Sequence, residues 1–519
     1  MNSGMNNSPR LGNVGLWLAG PLSGLLMALA FPRAGQGWLA WLALVPLFLI
    51  LPYRPWRSGF SAGVVFFAVL LYWLNLVMTT YGQLPWLLSI AAYLILAVYL
   101  ALFWAASCWC AVRVRNRLDL PLPVAVAVCW GALEYVRSWL LTGFPWGCIA
   151  YSQLDVPWLV QGADLFGVYG LVVAIVGVNA LVAEALRPML ERRALAWRPL
   201  AVAIVVVTFQ LGYGAWMLSR PATAGDALRV ALVQGNIDQH LKWDPAFLQQ
   251  TLDRYSQLSA QAVEPDLIVW PESATPFFYQ NGGQRAYQVR AVARQQQAYL
   301  LFGSPSYQRA DAAGEKDRVA YLNSAYLLSP QAQQLGRSDK VHLVPFGEYV
   351  PLWGMFGLVE KLATGIGDFV PGTLQPLTLD GHQAGVLICY EAIFPELARS
   401  LVAQGAQVLI NITNDAWFGN SAAPWQHLDM ARMRAVENRV WVLRSANTGV
   451  SALIDPTGRV VAHSSLFEPA LIEGVAEFKQ GGSLYTRTGD SLPRLLVAVV
   501  LLWLWQARKK KLLSARSDG

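Results

Sequence analysis

The chain has 519 residues, 55% of them hydrophobic, only 14% charged and 22 of them Trp. A soluble domain carries roughly 25% charged residues, so the composition implies a membrane protein over at least half the chain. The formal charge of +7 comes without a basic patch interleaved with aromatics, the pattern single-strand binders use, and nucleic acid is set aside as a partner.

The N-terminus, Met1 to Asn13, is polar and contains Arg10. Apolar runs then follow at Gly15 to Phe31, Gly37 to Leu51, Phe60 to Met78, Pro85 to Val112, Pro121 to Leu141, Leu165 to Ala183 and Pro199 to Leu218. The first has a cleaved signal peptide as its rival, because Ala28-Leu29-Ala30 loosely mimics a cleavage site. A retained helix is favoured, since a second apolar run comes at once. Glu134 and Arg137 share a face of the fifth run. Intramembrane charges are functional candidates by default, but a structural ion pair is the favoured reading here.

Arg54 and Arg57, Arg113, Arg115 and Arg117, and Arg187, Arg192, Arg193 and Arg198 occupy alternate loops, whereas Thr79 to Leu84 and Thr142 to Asp164 contain no Lys or Arg. The positive-inside rule puts the first set in the cytoplasm. Residues from about Ser219 to Asp490 are then extracytoplasmic. The last apolar run, Leu492 to Trp505, is about 14 residues against the roughly 17 to 25 of a span, and Arg494 would have to snorkel. Arg508-Lys509-Lys510-Lys511 is the basic stop behind it. The expected organisation is a bundle of about seven helices over 1–218, an extracytoplasmic domain over 219–489, and a C-terminal span with a basic tail over 490–519. That makes about eight spans, with both termini cytoplasmic.

From Ala227 short strand-like runs alternate with helix-like ones. Strands are expected at Leu228 to Val233, Asp266 to Trp270, Tyr299 to Gly303, Tyr321 to Leu328, Val341 to Pro345, Ala384 to Cys389, Gln407 to Thr413, Val440 to Arg444 and Val450 to Ile454. Helices are expected at Phe247 to Ala262, Gln284 to Gln297, Pro395 to Gln404 and Leu428 to Asn438. Alternation of this kind implies a layered α/β domain.

Three segment ends carry candidate chemistry. Glu272 follows an apolar strand and a proline, Lys340 precedes Val341-His342-Leu343-Val344-Pro345, and Cys389 ends the apolar run Ala384 to Ile388. Taken singly, each has a plainer reading: a loop carboxylate, a solvated turn charge, a small buried hydrophobe. Together they can divide acyl-transfer work. Glu272 would take the thiol proton, the Cys389 thiolate would attack a carbonyl, and Lys340 with the Tyr390 backbone N–H would hold the oxyanion. A Cys–His catalyst using His342 or His382 is the competing arrangement. His342 would share a strand face with Lys340, and His382 precedes the Cys389 strand. The other cysteines, Cys108, Cys110, Cys129 and Cys148, lie in or beside apolar runs, and no spacing suggests zinc or another metal.

Val269-Trp270-Pro271-Glu272-Ser273, Lys340-Val341-His342-Leu343-Val344-Pro345-Phe346-Gly347-Glu348-Tyr349-Val350-Pro351 and Ile388-Cys389-Tyr390-Glu391 resemble the three motifs of the nitrilase (carbon–nitrogen hydrolase) superfamily. Framed by an N-terminal bundle and one C-terminal span, the chain resembles the bacterial apolipoprotein N-acyltransferases over nearly its whole length. The resemblance implies a nitrilase-like αββα sandwich with a Glu272-Lys340-Cys389 triad. It implies an inner-membrane protein with its catalytic domain in the periplasm and no cofactor. Cys389 would take an acyl chain from a phosphatidylethanolamine-like phospholipid as a thioester, and pass it to the α-amino group of a diacylated apolipoprotein. By motif, Glu348 would support the triad, Tyr390 and Glu391 would line the site, and Trp243 would sit at the substrate entrance. Asn323 and Arg439 have the alternatives of a strand-edge amide and a helix-end cation. Two aromatic segments, Trp353 to Phe369 and Asn414 to Gln426, are expected as lids over the membrane. A membrane-tethered amidase passing its acyl group to water is the alternative function, and a non-enzymatic lipoprotein-binding or transport protein a further one.

Overall fold

The computed structural model describes residues 13–220, 225–309, 319–349, 369–479 and 482–517. These fall into two compact units. One comprises Met1–Asn75, Trp86–Arg220 and Thr488–Gly519; the other comprises Leu76–Pro85 and Pro221–Arg487.

The first unit is helical. Among the described residues four helices are long and apolar enough to cross a membrane: Trp86–Leu118, Ala163–Leu190, Trp197–Ser219 and Ser491–Lys511. Pro55–Leu70 and Trp73–Thr80, bent by 51°, make a fifth if joined. Gly15–Ala28 and Gly37–Ile50 are apolar but shorter. The expected run Pro121 to Leu141 is helical only over Leu122–Arg137. It stops because Ser138 turns its N–H back onto the carbonyls of Tyr135 and Val136, and Leu141 takes a φ of 52°. The C-terminal run does the opposite. Helix continues from Ser491 to Ser517, well past Trp505, because Lys, Arg, Leu and Ala are strong helix formers. Arg494 donates to the Tyr135 hydroxyl at 3.3 Å.

Buried polar side chains tie these apolar helices together. Asn179 accepts from Leu44 N at 2.8 Å and donates to Ala40 O at 2.8 Å. Glu134 and Arg137 form a fully buried ion pair. Arg137 also donates to Trp146 O at 2.8 Å and to Phe144 O. The pair thus satisfies loop carbonyls that would otherwise be stranded, which is the structural role.

The second unit is built on two six-stranded sheets. The first contains β1 (Asp226–Gln234), β2 (Leu267–Val269), β3 (Tyr299–Arg309), β4 (Val319–Leu328), β5 (Gln334–Asp339) and β12 (Ala470–Phe478), in the order β12-β1-β2-β3-β4-β5. The second contains β6 (Leu377–Leu379), β7 (His382–Ile388), β8 (Val408–Thr413), β9 (Trp441–Ala446), β10 (Ala452–Ile454) and β11 (Val460–His463), in the order β11-β10-β9-β8-β7-β6. Leu228, Val230 and Leu232 of β1 pack with Val386, Ile388, Ile410 and Ile412 of β7 and β8 in one shared core. The intervening residues face outward. Ala231 and Val233 meet helices Leu248–Ser259 and Gly283–Gln296, while Leu387 and Leu409 meet Pro395–Ala403 and Ala423–Asn438. Period-two alternation with both faces covered gives four layers, helix–sheet–sheet–helix. Buried Ser445 of β9 donates across the sandwich, 3.1 Å from the carbonyls of both Val233 and Val269.

Three expectations change here. Val341 to Pro345 is not a strand. Residues 76–85, read as a span end and its loop, group with the α/β unit, where the Tyr81 hydroxyl donates to Ala416 O at 2.8 Å. The segment Asn414 to Gln426, read as a lid, is mostly buried, with Asp415 inaccessible and Trp417, Phe418 and Trp425 half-buried. The other expected lid, Trp353 to Phe369, lies outside the described residues except for Phe369, which bridges to Tyr321.

Candidate active site

Each chemistry-bearing residue stands just past the C-terminal end of a strand. Glu272 follows β2, Lys340 follows β5 and Cys389 follows β7. Two of the three strand exits are strained: Ser273 has φ 48° and Cys389 itself φ 53°. A non-glycine residue in the left-handed region costs of order 1–3 kcal/mol and persists where its surroundings over-determine it. Gly303 on β3 permits the first exit, because a Cβ there would come within 2.4 Å of Ser273 N and 2.7 Å of Glu272 Cα.

Buried Lys340 links two carboxylates. Its Nζ is 2.9 Å from Glu348 Oε2 and 3.6 Å from Glu272 Oε1. Asn323 on β4 fixes both acids, donating from Nδ2 to Glu272 Oε1 at 2.8 Å and Glu348 Oε1 at 2.9 Å. Glu348 also accepts from Val344 N at 2.8 Å. Burial acts to lower the Lys340 pKa, but Glu348 first and Glu272 second outweigh it and hold the ammonium charged.

Half-buried Cys389 lies within electrostatic reach of both. Burial and then Glu272 push its thiol up to about 12, opposed by Lys340. Those surroundings favour the neutral thiol, and a thiol needs a base before it can act as a nucleophile. Glu391, two residues on, accepts from Ile388 N at 2.7 Å, Val341 N at 2.6 Å and His342 N at 3.1 Å. These bonds answer the N–H groups of Val341 and His342, which explains why that segment joins no ladder. Burial pushes the Glu391 carboxyl up to about 7 against those donors.

A carboxylate, an ammonium and a thiol converging on one edge of a sandwich can carry out nucleophilic acyl chemistry. Four curated apolipoprotein N-acyltransferases are 36–42% identical to this chain; the one from Geobacter metallireducens is 42% identical over 91% of this chain and 92% of its own length. The chain belongs to the apolipoprotein N-acyltransferase family. The family's Apolipoprotein N-acyltransferase N-terminal domain matches residues 23–181, and the Carbon-nitrogen hydrolase family matches residues 229–478. A second relative, from Nitrosomonas europaea, is 36% identical over 86% of this chain and 87% of its own length. Among solved structures, an amidase from Nesterenkonia sp. is 24% identical with a TM-score of 0.37, covering 53% of this chain and 98% of its own.

The remaining candidates are distributed unevenly. Tyr390 is buried beside Phe394, ring centroids 5.2 Å apart. Trp243 is 37% exposed, next to a fully buried Lys242. Arg439 ends helix Ala423–Asn438 with φ 57° and donates to Pro456 O at 3.4 Å, the helix-end role. His342 does not share a strand face with Lys340, and its ring packs on Phe394 at 3.8 Å. His382 opens β7, at the far end from Cys389, stacked on Phe478 at 4.0 Å.

Two sets of buried residues around the site lie outside the sequence motifs. Lys242 donates from Nζ to Glu272 O at 3.0 Å, and burial pushes it down to about 8. A histidine does meet Cys389, but it is His427, whose Nε2 is 3.1 Å from Cys389 O. Asp415 and Arg444 lie behind it, 2.6 Å apart. Arg444 inside the apolar strand β9 was the available signal, since a buried cation demands a buried partner.

Proposed function

We propose that this chain transfers an acyl chain from a membrane phospholipid, through a thioester on Cys389, to the N-terminal α-amino group of a diacylglyceryl-cysteine lipoprotein. It does so at the periplasmic side of the bacterial inner membrane. The observation that carries the reading is the strand-end cluster of Glu272, Lys340 and Glu348 within electrostatic reach of Cys389, in a chain that also bears membrane-length helices.

In the first half-reaction Glu272 takes the Cys389 thiol proton as Sγ attacks the ester carbonyl carbon. The Lys340 ammonium and the Tyr390 backbone N–H receive the charge that develops on the carbonyl oxygen. The C–O bond breaks, Glu272 returns its proton to the departing alkoxide, and a lysophospholipid leaves. In the second half-reaction the lipoprotein amine attacks the thioester carbon. The C–S bond breaks, and the amine proton passes through Glu272 to Sγ. Asn323 and Glu348 hold the acid and the ammonium in register throughout. Trp243 and Glu391 are assigned to the substrate entrance and the site wall.

The test is intact-mass spectrometry of the purified protein incubated with phosphatidylethanolamine alone, with Cys389→Ser as control. A hydroxylamine-labile fatty-acyl adduct, missing in the control, is the expected result. A diacylated lipopeptide should then discharge it as an N-acyl product. Discharge to water alone would favour the amidase reading, and no adduct with no lysophospholipid would overturn both.

A further inference from the structure

Cys389 sits at φ 53°, a conformation its own chemistry does not favour. Part of what holds it is Glu391, which ties the backbone N–H on its N-terminal side. Its carbonyl is held from elsewhere. His427, on helix Ala423–Asn438, reaches Cys389 O with Nε2 at 3.1 Å. A carbonyl oxygen only accepts, so Nε2 carries the proton whatever the charge on the ring. Nδ1 faces Asp415 Oδ1 at 3.0 Å and Arg444 Nη2 at 3.2 Å. Arg444 also pairs with Asp415 Oδ2 and donates to Asn411, its register partner on β8. Thr413, the last residue of β8, donates to Asp415 Oδ1 at 2.9 Å. All of these side chains are buried. Gly449 leaves room for the arrangement, since a Cβ there would lie 2.3 Å from Asp415 Oδ2. Cys389 is thus held at its carbonyl by His427, and His427 in turn rests on Asp415.

We propose that His427 is a positioning residue for the nucleophile, its Nε2–H holding the Cys389 carbonyl so that Sγ keeps the orientation from which it attacks. The inference rests on the acyl-enzyme reading for its consequence in turnover but not for its geometry. The Nε2 donation does not depend on the ring's charge: with the ring neutral, Nδ1 accepts from Arg444, and with it protonated, Nδ1 donates to Asp415, while Nε2–H faces Cys389 O in both forms. Burial and then Arg444 act to keep the ring in that neutral form, Asp415 opposing.

The experiment compares His427→Leu and His427→Gln in the full-length protein in phospholipid–detergent micelles, with thermal unfolding followed in parallel. Leu removes the donor, whereas Gln supplies an amide N–H at nearly the same reach. His427→Leu should slow thioester formation by about 100-fold, the scale expected for a misplaced reacting atom, with KM for phospholipid within about twofold. His427→Gln should recover to within about fivefold of the parent. The iodoacetamide alkylation rate of Cys389, which needs no lipid substrate, should change in the Leu variant and be restored by Gln. A folded Leu variant acylating at the parent rate, or a Gln variant no better than Leu in both assays, would overturn the inference. If the parent forms no thioester, the acyl-transfer reading fails, and the alkylation comparison still decides the positioning role. If Leu prevents folding, the Gln variant alone decides: parent-like alkylation supports the role and its loss overturns it.

Discussion

Lys340 sits closer to Glu348 than to Glu272, at 2.9 Å against 3.6 Å. The ammonium is therefore drawn to the acid that has no proposed proton-transfer duty. The separation is maintained by Asn323, whose one Nδ2 bridges both acids while its buried Oδ1 has no partner among the described residues.

Glu348→Gln should let Lys340 close on Glu272 and neutralise the base. Thioester formation should fall by about 10²-fold, the lower range for general base catalysis, with the protein still folded. Single-turnover acylation measured by quenched mass spectrometry checks this. A rate within a few-fold of the parent would count against a role for Glu348.

Glu272→Gln separates thiol acidity from thiol reactivity. Burial and Glu272 hold the Cys389 thiol high, so removing the acid's charge should move its titration to lower pH. Alkylation by iodoacetamide should then follow a profile displaced toward acid, even as acylation by phospholipid is lost with the base. Displacement toward alkali would show that Glu272 does not face the sulfur.

Lys242 predicts a pH-dependent stability. Its pKa is pushed down to about 8 in the folded chain from an unfolded value of about 10.4. Between these values the unfolded state binds more protons, so stability falls as pH drops from about 10.4 to about 8, by roughly 1.4 kcal/mol per unit at most. Lys242→Met removes this dependence. Its Tm relative to the parent should rise as pH is lowered through that window, offset by a constant loss of about 1 kcal/mol for the hydrogen bond to Glu272 O. A Tm difference that is flat across the window would show that Lys242 is not buried as described.

Gly303→Ala places a methyl against Ser273 N and Glu272 Cα. Overpacking of this kind costs about 1–3 kcal/mol, and here the backbone that must yield carries the proposed base. Acylation should fall by more than the loss of stability explains, with the alkylation rate of Cys389 little changed. Native acylation in a folded variant would place the Glu272 exit elsewhere.

Much of the second unit was legible because its strands announce themselves. Leu228 to Val233, Ala384 to Ile388 and Gln407 to Thr413 are apolar runs covered on both faces, and each ends in a polar break where β1, β7 and β8 end. Other strands carry no such mark. Gln334–Asp339 and Val460–His463 are polar or short edge strands whose pairing partner alone makes them strands. Conversely, Val341 to Pro345 has strand composition, but Val341 and His342 give their N–H groups to Glu391, some fifty residues away, Val344 gives its own to Glu348, and the segment takes no place in a ladder.

Local pattern therefore determined the apolar helices, the α/β alternation and the two strand ends bearing Glu272 and Cys389, because hydrophobic period and chain breaks are properties of neighbours in sequence; Lys340 was legible by motif, but the strand it ends, β5, was not. Tertiary structure alone decided which carboxylate holds Lys340, that Lys242 backs the Glu272 exit, and that the histidine touching Cys389 is His427 and neither His342 nor His382. Those are matters of which buried polar group finds a partner once the strands are stacked. A chain compelled to satisfy each buried donor and charge finds its partners across sheets and helices, where spacing in sequence carries no information.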